Sequence, residues 1–287
     1  MVNLFLDTDM GPDCDDAGAL QVIHTLCNQG QARLIGATCC TSSPFCLSTV
    51  SAINRANGRE VPLGITPRKG FLDSEECLRY APAVAERFDH EFRDGHPPQT
   101  AREVFREVLK AQPDGGVTLL SIGPMNNLAD FIGEAELAHL VGRKVARLVS
   151  MAGRFDSETP EWNIQMDVPA AQKVMESWPT PIVLCGWECG AGVVTGAALE
   201  GRAERPVREA YALWTKGTLR RDSYDLVTAL YAVQGDSGWI GTSGPGRIEV
   251  TSEGVTRFTP ESEGPHRYTV LRVSKTKLAG YLNALLA

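Results

Sequence analysis

The chain has 287 residues, 43% hydrophobic and 22% charged, enough to bury a substantial core and ordinary for a globular protein. Its 35 acidic against 28 basic residues leave a net charge of -7. With no Lys/Arg block larger than Arg68-Lys69 or Arg220-Arg221, that balance argues against a nucleic-acid groove.

No apolar stretch approaches the roughly 18 residues of a membrane span. No basic-then-apolar leader opens the sequence, so a cytoplasmic protein with no membrane partner is expected. The eight cysteines lack paired CxxC spacing and read as reduced thiols rather than as a zinc site.

In chain order, a predicted strand at 4–6 delivers Asp7, Asp9, Asp13, Asp15 and Asp16, five carboxylates within ten residues. A helix follows over 17–27, where Ala19, Leu20, Ile23, Leu26 and Cys27 recur at helical spacing before Gly30. The strand at 34–38 leads into Thr41-Ser42-Ser43 and a helix over 47–56. A helix over 101–111 precedes the strand 117–122, which ends in Gly123-Pro124-Met125-Asn126-Asn127. The strand 145–151 precedes Glu161-Trp162-Asn163, and Pro169 suits the first turn of a helix over 168–178. The strand 182–185 ends in Gly186-Trp187-Glu188, and Asp225 opens a helix over 226–233. Short antiparallel strands at 247–250, 256–258 and 268–273 come before a terminal helix.

The alternation predicts an α/β fold: one domain spanning 1–287, with an open, mostly parallel twisted sheet flanked by helices and a small antiparallel β segment near the C-terminus. In such sheets ligands bind beyond the carboxyl ends of the strands, and here each strand end carries polar chemistry. Asp15 and Asp16 suit a helix N-terminus, but that role leaves Asp7, Asp9 and Asp13 unexplained. Buried like charge on this scale requires a cation, and clustered carboxylate oxygens suit a hard one such as Ca²⁺. The long connections 66–100 and 154–167 are candidates for function, and His96 in the first is a candidate lid residue.

The segment Asp7-x-Asp9-x-Gly11…Asp15-Asp16-Ala17-x-Ala19-Leu20 resembles the N-terminal signature of the inosine-uridine nucleoside hydrolase family. The family usually has one residue between the glycine and the Asp pair, whereas Pro12-Asp13-Cys14 makes three here, the mark of a divergent branch. Gly123-Pro124-Met125-Asn126-Asn127 and Glu161-Trp162-Asn163 extend the resemblance. It implies Ca²⁺-dependent hydrolysis of a nucleoside N-glycosidic bond. Asp9 would be general base and metal ligand, joined at the metal by Asp16, the backbone carbonyl of Asn126, and Asp225. Asp15, Glu161 and Asn163 would bind ribose, and Asp7 would brace the site. Ser42, Trp187 and Glu188 are further candidates for the substrate. Tyr224 stands where many relatives carry the His that assists the leaving base. The resemblance is also compatible with a homo-oligomer. Two rivals remain open at this point: a non-catalytic nucleoside binder, and a phosphatase of the haloacid-dehalogenase type, which Asp7-x-Asp9 also resembles but Gly11 does not suit.

Overall fold

The computed structural model describes residues 1–287. Its strands are β1 (Val2–Thr8), β2 (Ala32–Cys39), β3 (Leu63–Ile65), β4 (Gln99–Thr100), β5 (Val117–Ser121), β6 (Val145–Met151) and β7 (Ile182–Cys185). They continue with β8 (Val194–Thr195), β9 (Arg221–Asp222), β10 (Ile240–Thr242), β11 (Gly246–Val250), β12 (Thr256–Pro260) and β13 (His266–Leu271). Eleven of them form one sheet in the order β12-β11-β13-β7-β6-β5-β1-β2-β3-β4, with β10 added to β13.

β1 pairs in parallel with both β2 and β5. From β1 the chain builds outward through β2, β3 and β4, then returns to the other side of β1 to lay down β5, β6 and β7. Connections therefore leave β1 and β5 in opposite directions, and a crevice opens between them at their carboxyl ends.

Both sheet faces are buried, which is why the parallel strands read as apolar runs rather than alternating patterns. Leu4, Leu6, Leu34 and Leu120 belong to one apolar cluster, while Phe5, Ile35 and Leu119 belong to the other. The helices Asp15–Asn28 and Tyr224–Gln234 pack against each other on the first face. That pairing sets the starts of two helices, distant in sequence, side by side at the crevice.

The antiparallel C-terminal strands do not hang off the sheet as an appendage. β13 pairs in parallel with β7, and β10 and β11 then pair antiparallel to β13, so this segment extends the main sheet. Both long connections carry structure of their own. The first holds helices Glu75–Leu78 and Ala81–Arg87, and the second holds helix Trp162–Met166.

Candidate active site

A cavity of about 400 Å³ lies at the β1/β5 crevice, walled by Asp9, Asp15, Asp16 and Asp225 among others. Asp7, at the end of β1, is fully buried behind it. Its Oδ1 accepts from Thr38 Oγ1 at 2.6 Å and from Asn127 Nδ2 at 2.8 Å, which ties the ends of β1, β2 and β5 together. Burial pushes the Asp7 carboxyl up to about 7, against the pull of those two donors.

Asp9 leaves β1 facing the cavity. A Cβ on Gly123 would sit 2.8 Å from Asp9 Oδ1 and 2.7 Å from Cys40 Sγ, so only glycine lets the turn after β5 approach this closely. Asp15 and Asp16 occupy the first turn of their helix, where free N–H groups favour carboxylates. Thr8 Oγ1 donates to Asp16 Oδ1, and the backbone N–H of Asp225 donates to Asp15 Oδ2 at 3.1 Å.

Asp15, Asp16 and Asp225 each offer a carboxylate oxygen within 4.8 Å of the others, and all three are buried. Burial raises the pKa of each, and of Asp9, well above the usual carboxylate range; the charges of neighbouring aspartates add to it. Such a group ionises fully only with a counter-cation, and a donor set made entirely of carboxylate oxygen fits a hard divalent ion.

The second polar wall comes from the connection after β6. Glu161 caps helix Trp162–Met166: Oε1 accepts from Asn163 N at 2.8 Å, and Oε2 from Gly153 N at 3.1 Å and Ile164 N at 3.2 Å. Burial still carries its pKa up to about 7. Asn163 is held by its Nδ2, which donates to the carbonyl of Met151 at 3.0 Å. Both residues line the cavity, and Trp162 stands at its mouth, 39% exposed.

The third wall is aromatic and cationic. Trp187 and Tyr224 lie with ring centroids 6.1 Å apart, and the Arg154 guanidinium covers Trp187 at 3.9 Å. Arg221 lies 4.5 Å from the Trp214 centroid and 5.4 Å from that of Tyr224. Its Nε reaches Asp13 Oδ1 at 3.1 Å and Oδ2 at 3.0 Å, and its Nη2 reaches Oδ2 at 2.5 Å. Pro12 accepts from Trp214 Nε1 at 2.8 Å, and the Asp13 carbonyl from Tyr80 Oη at 2.8 Å. Pro12 and Asp13 of the lengthened spacer thus help build one side of the cavity.

Tyr224 Oη donates to Asp222 Oδ2 at 3.3 Å, and burial pushes the phenol up to about 12 even though Arg221 pulls it down. Over the mouth, Glu76, Cys77 and Arg79 complete the lining. A Cβ on Gly11 would lie 2.8 Å from the Cys77 carbonyl, which is how closely that segment rests on the β1 loop.

Of the residues singled out in the sequence, Asp9, Asp15, Asp16, Glu161, Asn163, Trp187, Tyr224 and Asp225 meet in this cavity. Four lie elsewhere. Asn126 is buried away from it as the first residue of helix Asn126–Gly133, its Nδ2 donating to the Cys40 carbonyl at 2.9 Å. Ile122, at the end of β5, lines the cavity instead. Ser42 is committed to the loop after β2, donating to Asp73 Oδ2 at 2.8 Å and accepting from Phe71 N at 2.8 Å. Glu188 folds back to accept from Phe155 N at 3.2 Å. His96 pairs with Asp94 on the surface, beside a separate groove that includes Phe45 and Phe92.

Arg221 and Trp214 are the residues sequence reasoning missed, and Asp13, expected among the carboxylates that need a cation, pairs with Arg221 instead. The one signal available was a charged residue within the lengthened Asp motif.

The model of the inosine-uridine preferring nucleoside hydrolase family matches residues 4–276. No curated protein matches the chain by sequence. Among solved structures, an inosine-guanosine nucleoside hydrolase is similar with TM-score 0.75 and 18% identity, over 100% of this chain and 99% of that one. A purine-preferring ribonucleoside hydrolase from Gardnerella vaginalis is similar with TM-score 0.73 and 17% identity, over 99% of each chain. The type III effector protein XopQ, solved with adenosine diphosphate ribose, has TM-score 0.69 and 17% identity over 99% of this chain and 92% of that one.

Proposed function

The chain belongs to the inosine-uridine preferring nucleoside hydrolase family, and on that premise we propose that it hydrolyses the N-glycosidic bond of ribonucleosides with the help of Ca²⁺. The observation that carries this reading is the buried trio Asp15, Asp16 and Asp225 with Asp9 on the same cavity wall. Glu161 and Asn163 close the opposite side.

In this proposal Asp16 and Asp225 would hold the cation together with Asp9, and the backbone carbonyl of Asn126 would be a further ligand. When bound, the cation supplies neutralising charge and Lewis acidity. Asp15 grips ribose hydroxyls, and Glu161 and Asn163 accept from or donate to the sugar at its other edge. Fixing sugar and water together turns a bimolecular encounter into a positioned attack. Asp9 accepts the proton of the attacking water, its carboxylate kept ionised by the cation.

Attack from the face opposite the base, through an oxocarbenium-like transition state, inverts the anomeric carbon. Asp7 acts from behind, holding the end of β1 in register with Thr38 and Asn127.

The experiment is a reducing-sugar assay across purine and pyrimidine nucleosides, with calcium and with chelator. Release of ribose that chelator abolishes and calcium restores is the expected result. Calcium-dependent nucleoside binding with no product after long incubation would point instead to a non-catalytic binder.

A further inference from the structure

The cavity has an unequal distribution of charge. Its floor is carboxylate, whereas the wall beside Tyr224 carries Arg221 and Trp214. None of the five histidines lines the cavity, so no imidazole is available to protonate a departing base. Arg221 is a permanent cation and cannot serve as a proton donor, but it can neutralise developing negative charge.

Its placement is unusually well specified. Asp13 grips the Nε and Nη2 side of the guanidinium, and Trp214 and Tyr224 flank it. Those bonds leave Nη1, and one hydrogen of Nη2, without a protein partner. Two parallel N–H donors on the end of a guanidinium match the O6 and N7 acceptors of a 6-oxopurine. Adenine offers N7 but presents a donor at position 6, which meets the guanidinium's own donors.

We propose that Arg221, held by Asp13 of the lengthened Pro12-Asp13-Cys14 spacer, binds the O6/N7 edge of a 6-oxopurine nucleoside and stabilises the base as it leaves. The proposal rests on the hydrolase reading above. In the step, the water oxygen bonds to C1′ while the C1′–N9 bond breaks, with both electrons passing to the base. The water's proton goes to Asp9. The base departs as an anion paired with Arg221 and takes its proton from solvent afterwards. Arg221 touches the substrate, and Asp13 is a positioning residue that acts through it. The insertion that sets this chain apart from the usual motif thereby has a use.

The test compares inosine, adenosine and 4-nitrophenyl β-D-ribofuranoside, whose nitrophenolate leaves without assistance. The wild-type protein is expected to prefer inosine over adenosine by roughly tenfold or more in kcat/KM. Arg221→Gln is expected to lower kcat for inosine roughly a hundredfold and to lower that for the nitrophenyl riboside far less. Arg221→Lys keeps the charge but loses the fork, so it should lose the inosine preference while retaining part of the rate. Asp13→Asn should act in the same direction as Arg221→Gln and more weakly; it decides the matter if the Arg221 variants fail to give a cooperative melt.

Equal losses on inosine and the nitrophenyl riboside in the variants overturn the assignment, because they mark a merely structural role. So does a wild-type protein that cleaves adenosine as fast as inosine. If the wild-type protein cleaves the nitrophenyl riboside but no purine nucleoside, the Arg221 assignment falls alone. If it cleaves none of the three, the hydrolase reading itself falls.

Discussion

Asp7 and Asp9 stand two residues apart on one strand and face opposite demands. Asp9 lines the cavity, where it is proposed to take a proton. Replacing it by Asn keeps the volume and one oxygen but removes the base, and kcat should fall by roughly 10²- to 10⁴-fold. Steady-state assays alongside calcium-binding measurements check this, and near wild-type turnover would sink the assignment.

Asp7 titrates instead. Burial raises its pKa from 3.8 to about 7. Between those values the native state holds a proton that the unfolded chain has lost. Its contribution to stability is therefore greatest below about 4 and diminishes as pH rises towards 7. Asp7→Asn retains the oxygen that accepts from Thr38 and Asn127, so its melting temperature should vary less with pH over this window than that of the wild-type protein. Thermal melts at pH 5 and pH 8 in chelator measure the difference. An unchanged pH dependence would mean that Asp7 is ionised throughout.

At the scale of elements, the segments that end the parallel strands were readable, because each apolar run stops abruptly at polar residues. That is how Asp9, Glu161 and Asn163 could be named before any coordinates. Asn126, Ser42 and Glu188, named by the same reading, are not among the residues that line the cavity. Whether a strand-end residue faces the crevice depends on the turn or helix that follows it, not on its nearness in sequence. Asn126 begins a helix, while Ile122, four residues earlier, lines the cavity.

The turn after β5 also depends on Gly123, whose missing side chain makes room for Asp9. Gly123→Ala should push Asp9 or Cys40 aside by a few tenths of an ångström or more. The expected outcome is a large loss of kcat with a near-native far-UV circular dichroism spectrum. Unaltered kcat would show that the turn yields without disturbing Asp9.

At the scale of the whole molecule, four buried aspartates near one another are an electrostatic burden on the native state. Each can remain charged only with a cation beside it. Binding to the native state alone stabilises it by mass action, so calcium should raise the melting temperature and chelator should lower it. The gap should widen from pH 5 to pH 8, since protonated carboxyls in the metal-free protein need no cation at the lower pH. Differential scanning calorimetry with and without calcium at the two pH values checks this. A melting temperature indifferent to calcium would mean that the aspartates keep their protons and hold no metal.

No helix is long and apolar enough to cross a membrane. The sheet instead buries both its faces, leaving the crevice between β1 and β5 as the place where charged groups from distant segments meet. The sequence by itself determined the α/β alternation, the open parallel sheet and the carboxylate-rich end of the first strand, because hydrophobic periodicity and local charge density are properties of neighbours in the chain. The family resemblance had already joined Asp225 to Asp16, whereas only the tertiary structure decided that Arg221 turns its guanidinium onto Asp13, a partner 208 residues away. Those pairings come from one helix packing on another and from a loop folding over a strand end, contacts that no local pattern encodes.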